Sequence, residues 1–394
     1  MKRTLPKTVI SLGWVSFFMD IASEMVYPIM PLFLVGALGA PVIVLGIIEG
    51  FAEGLVSLLK GLSGYLSDRM QRRVPYVRWG YGLGALGKPL LACAFTWPLV
   101  FLARAVDRTG KGLRTTARDA LIADTMEGTH VGRAFGFHRA MDTAGALIGV
   151  GAALVLMWLM PGHYRTIFLI ATIPGVISVA FTFLIKETRT PPPIIAAETI
   201  SPATATGACR FCKEYWLTLT ALVIFALANS SDTFLLLRAK NVGLTDARVV
   251  LAYMLYNLTY TLSSYPAGIA SDRIGRWKVI SIGWLIYAIV YIGFALTART
   301  EVWILFALYG VYIGFTQGVS SALIADYAPA ERRGTALGIF HMSIGVAALV
   351  SSIFAGWLWD HVSSAAPFWF GGGAALVALG LLPFIARRSP AKKS

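Results

Sequence analysis

Apolar stretches, each about 18 to 25 residues long, recur along the whole length of this chain. A helix of that length crosses a hydrocarbon layer of about 30 Å. Only 14% of the 394 residues are charged, whereas a soluble domain carries about 25% charged residues. We count about twelve such stretches, six in each half of the chain. The pattern therefore predicts an all-α integral membrane protein with twelve transmembrane helices.

An internal repeat relates the two halves of the chain. Residues 64–73 follow the second apolar stretch and residues 268–277 follow the eighth, and both segments read Gly-x-x-x-Asp-Arg-x-x-Arg with an offset of 204 residues. A second pair agrees, because Ala-Leu-Ile-Ala-Asp occurs at residues 120–124 and again at residues 322–326. A repeat of this period predicts two pseudo-symmetric bundles of six helices.

The boundary between the bundles is predicted from polarity. Residues 187–213 contain three consecutive prolines and many alanine, threonine and glutamate residues, so they are too polar to insert into a membrane and read as a linker. Residues 1–186 form the predicted N-terminal six-helix bundle. Residues 214–394 form the C-terminal bundle, which ends in a short basic tail.

The distribution of basic residues predicts the orientation in the membrane. The net charge is +14, and 23 of the 34 lysine and arginine residues fall in the tails and loops of one predicted side. Basic loops stay on the cytoplasmic side. The sequence therefore predicts a multi-pass protein of a bacterial-type cytoplasmic (inner) membrane, with both termini and the linker in the cytoplasm. The high pI of 9.8 then reflects topology, and we expect no nucleic-acid partner.

Several ionisable residues lie within the apolar stretches, where they are costly and usually functional. Asp20, Glu24 and Tyr27 share one helical face of the first span, and Glu49 and Glu53 share one face of the second. Two nearby carboxylates repel each other, so one of them could take up a proton near neutral pH. The second-span acids could instead belong to a structural ion network with basic groups.

The chain resembles the major facilitator superfamily (MFS) over essentially its full length. The resemblance rests on the doubled Gly-x-x-x-Asp-Arg motif, on the six-plus-six layout around a central linker, and on the region of Arg104 in span 4. It implies the MFS fold and a conformational gate in which the motif stabilises one of two alternating states. The implied gate residues are Gly64, Asp68, Arg69, Arg72, Gly268, Asp272, Arg273 and Arg276. Gln71 and Trp277 depart from the family pattern.

Span 4 resembles the Arg-x-x-Gln-Gly-x-Gly motif of the family, with Arg104 at its arginine. Asp107 and Arg108 replace the glutamine and the first glycine, so this span is more charged than the common pattern. Two interpretations stay open. Arg104 could pair with an acid of span 1 or span 5, or Arg104, Arg108 and Lys111 could bind an anionic substrate through charge-assisted hydrogen bonds.

The second half offers aromatic and amide groups at positions where the first half has carboxylates. With the offset of 204, Glu49 corresponds to Tyr253 and Glu53 to Asn257. Tyr253 and further tyrosines could line a cavity. We interpret His138, one helical turn before Asp142, as a packed histidine. The predicted site for proton coupling and substrate comprises Asp20, Glu24, Tyr27, Glu49, Glu53, Arg104, Asp107, Arg108, Asp142, Asp232, Tyr256 and Asn257.

We predict a monomeric secondary transporter that moves a small organic solute by alternating access, as a proton-coupled antiporter working in the direction of efflux. Gly145 and Gly149 in span 5 loosely resemble a glycine motif of family exporters, which favours export. The alternatives are transport of an organic or inorganic anion and, less favoured, lipid flipping. We expect no enzymatic activity, because HExxH, GxSxG and Walker patterns do not occur in the sequence. We expect no cofactor or metal, and the proton gradient is the predicted energy source.

Overall fold

The structure is a computed structural model, and nearly all the residues that it describes are helical. No strand occurs among these residues. The described ranges are 6–70, 72–125, 131–187, 211–297, 301–327 and 333–386. Most of the predicted linker, residues 188–210, lies outside them.

Among the described residues, six α-helices belong to the first half of the chain and seven belong to the second. The first six are α1 (Lys7–Val26), α2 (Val42–Met70), α3 (Val74–Ala92), α4 (Trp97–Thr125), α5 (Val131–Leu159) and α6 (Tyr164–Thr182). The others are α7 (Lys213–Ala228), α8 (Thr233–Asn241), α9 (Asp246–Ile274), α10 (Arg276–Leu296), α11 (Val302–Asp326), α12 (Arg333–His361) and α13 (Ala366–Ala386). Because α7 and α8 follow one another within a single apolar stretch, these thirteen helices make twelve spans.

The surface of the bundle suits a lipid environment. Within the described ranges, eight helical segments are long and apolar enough to cross a membrane by composition alone. Among the remaining long helices, α4 carries many charged residues, and Ala366–Leu382 of α13 is apolar but shorter. Large aromatic side chains are exposed on the outside, and Trp158 and Tyr265 are each 77% exposed. A helix satisfies its own backbone hydrogen bonds, so a helical bundle with this surface is stable in lipid.

The two halves repeat the same helix packing. In the first half α1 packs on α5 and α6, α4 packs on α2 and α3, and α3 packs on α6. The second half has the equivalent pairs: α7 with α12 and α13, α11 with α9 and α10, and α10 with α13. Between the halves α2 packs on α12 and α5 packs on α9, and these two contacts are related by the same symmetry. The predicted fold of two six-helix bundles is therefore confirmed.

Two spans are irregular in the structure. The first span contains Pro28 and Pro31, and α1 ends at Val26 and is followed by a π-helix over Leu32–Ala37, since proline disrupts regular helical bonding. The seventh span is interrupted between α7 and α8, a break that the sequence pattern did not predict. Residues 229–232 of this break are Asn-Ser-Ser-Asp, whose short polar side chains compete with helical backbone bonding.

Glycines bring α2 and α12 together on the membrane side opposite to the chain termini, which we call the distal side. A Cβ added to Gly46 would lie 2.2 Å from the carbonyl oxygen of Ser352, and one added to Gly356 would lie 2.6 Å from the Cα of Ile43. Towards the side of the termini, which we call the proximal side, a Cβ at Gly61 of α2 would meet no atom within 4 Å. The halves are therefore closed on the distal side and separate towards the proximal side.

The close approach at Gly46 makes a testable prediction. We expect Gly46→Ala to disfavour the distally closed state, because the new methyl group overlaps backbone atoms of α12, and overpacking of this kind costs about 1–3 kcal/mol. Gly61→Ala in the same helix is the matched control and should have no effect. Reactivity of a single cysteine placed on the distal side checks this. If the distal cysteine is equally reactive in Gly46→Ala and in Gly61→Ala, the close packing of α2 on α12 at Gly46 is contradicted.

Candidate functional site

A buried ion pair joins α4 to α2 at the middle of the first half. Arg104 Nη2 and Nε donate to Glu49 Oε1 over 2.5 Å and 3.1 Å. Arg104 is 4% exposed and Glu49 is 1% exposed. The expectation that Arg104 pairs with an acid of span 1 or span 5 is therefore wrong. The partner lies on span 2, because α2 and α4 pack directly on each other and turn these two residues towards their shared interface.

Asp107 is the centre of a second buried cluster. Lys88 of α3 donates to its Oδ1 over 2.6 Å and also lies 3.2 Å from the hydroxyl of Ser23. Arg104 Nη1 and Arg108 Nε approach the other oxygen of Asp107 to 3.8 Å and 3.7 Å. The carboxylate of Asp107 therefore lies within ion-pair distance of three basic side chains. Lys88 was not among the predicted site residues, and its position within an apolar stretch was the signal that could have identified it.

Arg108 is an incompletely hydrogen-bonded member of the basic cluster of α4, which we define as Arg104, Arg108 and Lys111. Its side chain is 8% exposed, and its Nε has no hydrogen-bond partner within the described part of the chain. Lys111, one helical turn further on, is exposed. Glu53 of α2 is also exposed and interacts electrostatically with Arg108, Lys111 and Arg104. Glu53 and Lys111 are therefore two exposed residues of opposite charge that interact electrostatically between α2 and α4.

Asp142 and Asp20 lie at the interface of α5 with α1. Asp142 Oδ2 is 3.4 Å from Nδ1 of the buried His138, so this histidine is packed beside an acid, as the sequence interpretation has it. Asp20 interacts electrostatically with Asp142, Arg114 and Arg118. Asp20 therefore lies within electrostatic range of two basic residues in the proximal part of α4.

Tyrosines of the second half donate hydrogen bonds to the two remaining acids, Glu24 and Asp232. The hydroxyl of Tyr253 in α9 donates to Glu24 Oε2 over 3.0 Å. Asp232, in the break of the seventh span, accepts from Tyr256 over 3.0 Å and from Tyr309 over 2.6 Å. Glu24 is thus bonded to the opposite half of the protein, whereas Asp232 is bonded within its own half.

Two further predicted residues lie in the same region. Tyr27 follows α1, and its ring centroid is 5.5 Å from that of Tyr253. Asn257 is partly exposed and donates from Nδ2 to the carbonyl oxygen of Tyr253 in its own helix, so its amide is engaged locally. The structure therefore brings Glu24, Tyr27, Asp232 and Tyr256 together, while Asp142 lies in a separate cluster.

The predicted gate lies at the proximal ends of α2 and α9. Arg276 pairs with Asp326 at the end of α11, with nitrogen-to-oxygen distances of 2.5 Å and 3.1 Å. Arg72 and Arg273 are exposed, and Gly268 borders a cavity between α9 and α11. The side-chain environments of Gly64, Asp68, Arg69 and Asp272 lie outside the described part of the structure.

Acidic residues of the second half hold the distal side closed, a role that the sequence analysis did not predict. Asp360, near the end of α12, accepts hydrogen bonds from the backbone amides of Val42 and Ile43 at the start of α2, over 3.0 Å and 2.7 Å. Tyr164 of α6 donates to Asp246 of α9 over 2.6 Å, and Asp246 also pairs with Lys240. Both acids therefore bind groups of the opposite half.

Known proteins share both the sequence pattern and the fold of this chain. The sequence model of the Major Facilitator Superfamily matches residues 12–247 and again residues 217–394. An uncharacterized MFS-type transporter of Methanocaldococcus jannaschii is 34% identical over 390 residues, which cover 97% of this chain and 96% of that protein. Multidrug resistance protein MdtH of Cronobacter sakazakii is 24% identical over 346 residues, with coverage of 85% and 82%.

Two solved structures show the same fold at low sequence identity. The nucleoside transporter NupG has a TM-score of 0.76 and 14% identity, and the alignment covers 97% of this chain and 100% of that one. A bacterial homolog to the human lysosomal transporter Spinster has a TM-score of 0.76 and 12% identity, with 96% of each chain covered. With two matching bundles, a full-length relative at 34% identity and this shared fold, the chain belongs to the Major Facilitator Superfamily and is a secondary transporter in a membrane.

Proposed function

We propose that this transporter exports a small organic solute in exchange for protons. The observation that carries the proposal is the position of Glu24. Its carboxylate is partly exposed, has no ion pair with another described residue, and accepts a hydrogen bond from Tyr253 of the opposite half. Uptake of a proton by Glu24 would remove the negative charge that this bond depends on, so protonation and the contact between the halves are linked.

The direction of transport has separate support. The relative from Cronobacter sakazakii is named a multidrug resistance protein, which favours efflux here. With the basic loops in the cytoplasm, the separated proximal side faces the cytoplasm, where an exporter loads its substrate. In this proposal the protein works as a monomer in a bacterial-type inner membrane and takes its energy from the proton gradient, without a cofactor.

Proton exchange can be measured in everted membrane vesicles with a dye that reports the pH gradient. We expect at least one of ethidium, tetraphenylphosphonium, chloramphenicol and benzoate to dissipate the gradient in vesicles that contain the wild-type protein. Glu24→Gln should abolish this response while solute binding persists, because glutamine cannot exchange a proton. Glu214→Gln, at the start of α7, is the control and should respond like the wild type. If the rate of solute transport is the same with and without a pH gradient, the proposal is refuted.

A second candidate function is transport of an anion by the basic cluster of α4. It is favoured by the buried Arg108, whose Nε has no acceptor within the described residues, and by the exposed Lys111. In this case benzoate or sulfate should raise the melting temperature of the purified protein by mass action. Arg108→Gln should remove that effect and leave the response to cations unchanged.

A further inference from the structure

We infer that an anionic phospholipid binds in a groove between α10 and α13, at the proximal end of the second half. The groove has a volume of about 440 Å³, and its lining residues are separate from those of the candidate functional site. The inference therefore adds a second binding site to the protein. It does not depend on the proposed function, because lipid binding needs no transport.

The apolar part of the groove can hold an acyl chain. Ile282 and Leu285 of α10 form one side of it, and Leu379 and Leu382 of α13 form the other. Ile282 and Leu285 are 42% and 44% exposed, so they are accessible from outside the bundle. The volume of the groove lies within the range of about 300–1,000 Å³ that small-molecule sites have. An acyl chain of a membrane lipid can therefore enter the groove from the side.

A cation lies where the groove reaches the start of α10. Lys278 is in the first turn of α10, is exposed, and has no ion pair within the described ranges. The nearby Arg276 is already paired with Asp326. Among the described residues that line the groove, Lys278 is the only charged one. Its charge is therefore available to an anionic headgroup, and basic pockets between membrane-spanning helices bind such headgroups.

Trp277 borders the same end of the groove. Tryptophan is enriched at membrane–water interfaces, so this residue is placed at the depth of the lipid headgroups. Its indole nitrogen is buried and has no hydrogen-bond partner in the part of the chain that the structure describes. A buried donor without an acceptor is unfavourable. An oxygen of the headgroup would supply an acceptor that the described protein groups do not.

The equivalent helix start in the first half is occupied by an acid of the protein itself. At the start of α3, the backbone amides of Arg73 and Val74 donate to the two carboxylate oxygens of Glu187 over 2.7 Å and 3.1 Å. The offset of 204 residues relates α3 to α10, yet no described side chain caps the start of α10 and its first turn carries no acid. Because the start of a helix favours an anion, this difference supports an external anion beside Lys278.

Lipid retention by the purified full-length protein tests the inference. The protein in detergent is incubated with equal amounts of dioleoylphosphatidylglycerol and dioleoylphosphatidylcholine, and native mass spectrometry counts the molecules of each lipid that stay bound. The two lipids have the same acyl chains, and only the phosphatidylglycerol is anionic. We expect the wild type to retain it at least about fivefold more than the phosphatidylcholine. Lys278→Gln should remove most of this preference, because the variant loses the charge that attracts the headgroup.

Two further variants separate the charge from the groove. Lys213→Gln, at the exposed start of α7 on the same membrane side, is the matched control and should keep the preference of the wild type. Ser281→Phe fills the groove and keeps Lys278, so it should also lower the retention of phosphatidylglycerol. A melting curve for each variant without added lipid separates loss of binding from loss of folding.

Five results would overturn the inference. If the wild type retains both lipids equally, the headgroup is not recognised. If Lys278→Gln and Lys213→Gln lower the preference equally, the attraction is a general effect of basic charge. If Ser281→Phe retains phosphatidylglycerol like the wild type, the groove is not the site. If inorganic phosphate raises the melting temperature as much as phosphatidylglycerol does, the site binds a soluble anion. If the wild type is a dimer that Ser281→Phe dissociates, a second copy of the chain occupies the groove.

Discussion

Arg104→Gln is expected to lower the stability of the protein by about 3–5 kcal/mol, because it leaves Glu49 buried without a compensating cation. The pair is short and nearly inaccessible, with 2.5 Å between Arg104 Nη2 and Glu49 Oε1 and with Glu49 1% exposed. A thermal unfolding curve in detergent should show a large decrease in melting temperature, and transport should fall with it.

The double variant of this pair provides the control. Arg104→Gln combined with Glu49→Gln removes both charges and leaves two amides that can hydrogen-bond to each other, so most of the lost stability should return. Arg248→Gln, at an exposed position of α9, should leave the curve unchanged. A single Arg104→Gln variant as stable as the double variant would show that the pair does not stabilise the folded protein.

Asp360→Ala is expected to shift the protein away from the distally closed state. Asp360 binds the first two backbone amides of α2, where the positive end of the helix dipole favours an acid. Loss of such a cap costs about 0.5–2 kcal/mol. An equilibrium between two states that are near equal in population would therefore shift by about tenfold. The change should affect α2 alone and leave the ion pairs of the first half intact.

Distances between spin labels can report this shift. Labels at Thr96 and Val362 lie in distal loops of different halves, and we expect Asp360→Ala to raise the population of longer distances. Asp360→Asn keeps one acceptor oxygen and should give an intermediate result. Identical distance distributions in all three proteins would show that Asp360 does not hold the halves together.

From the sequence, the helical faces of the candidate acids could be predicted better than the residues with which those acids pair. Helical spacing placed Glu24 and Tyr27 on one face, and both indeed lie next to Tyr253. The same spacing could not identify Glu49 as the partner of Arg104. That pairing depends on which helices pack together and on how each is rotated about its axis. Asp360 was missed for a similar reason, since its bonds join two helices that are more than 300 residues apart in sequence.

The sequence by itself determined the class of fold and the organisation into two halves. In lipid a backbone must satisfy its own hydrogen bonds, so apolar stretches of this length form helices, and a repeated motif places equivalent helices in each half. Only the tertiary structure decided which charges neutralise each other and which acids face tyrosines. A helix face spans several neighbours, and the contact that an ionisable residue makes is fixed by helix packing, not by the local sequence.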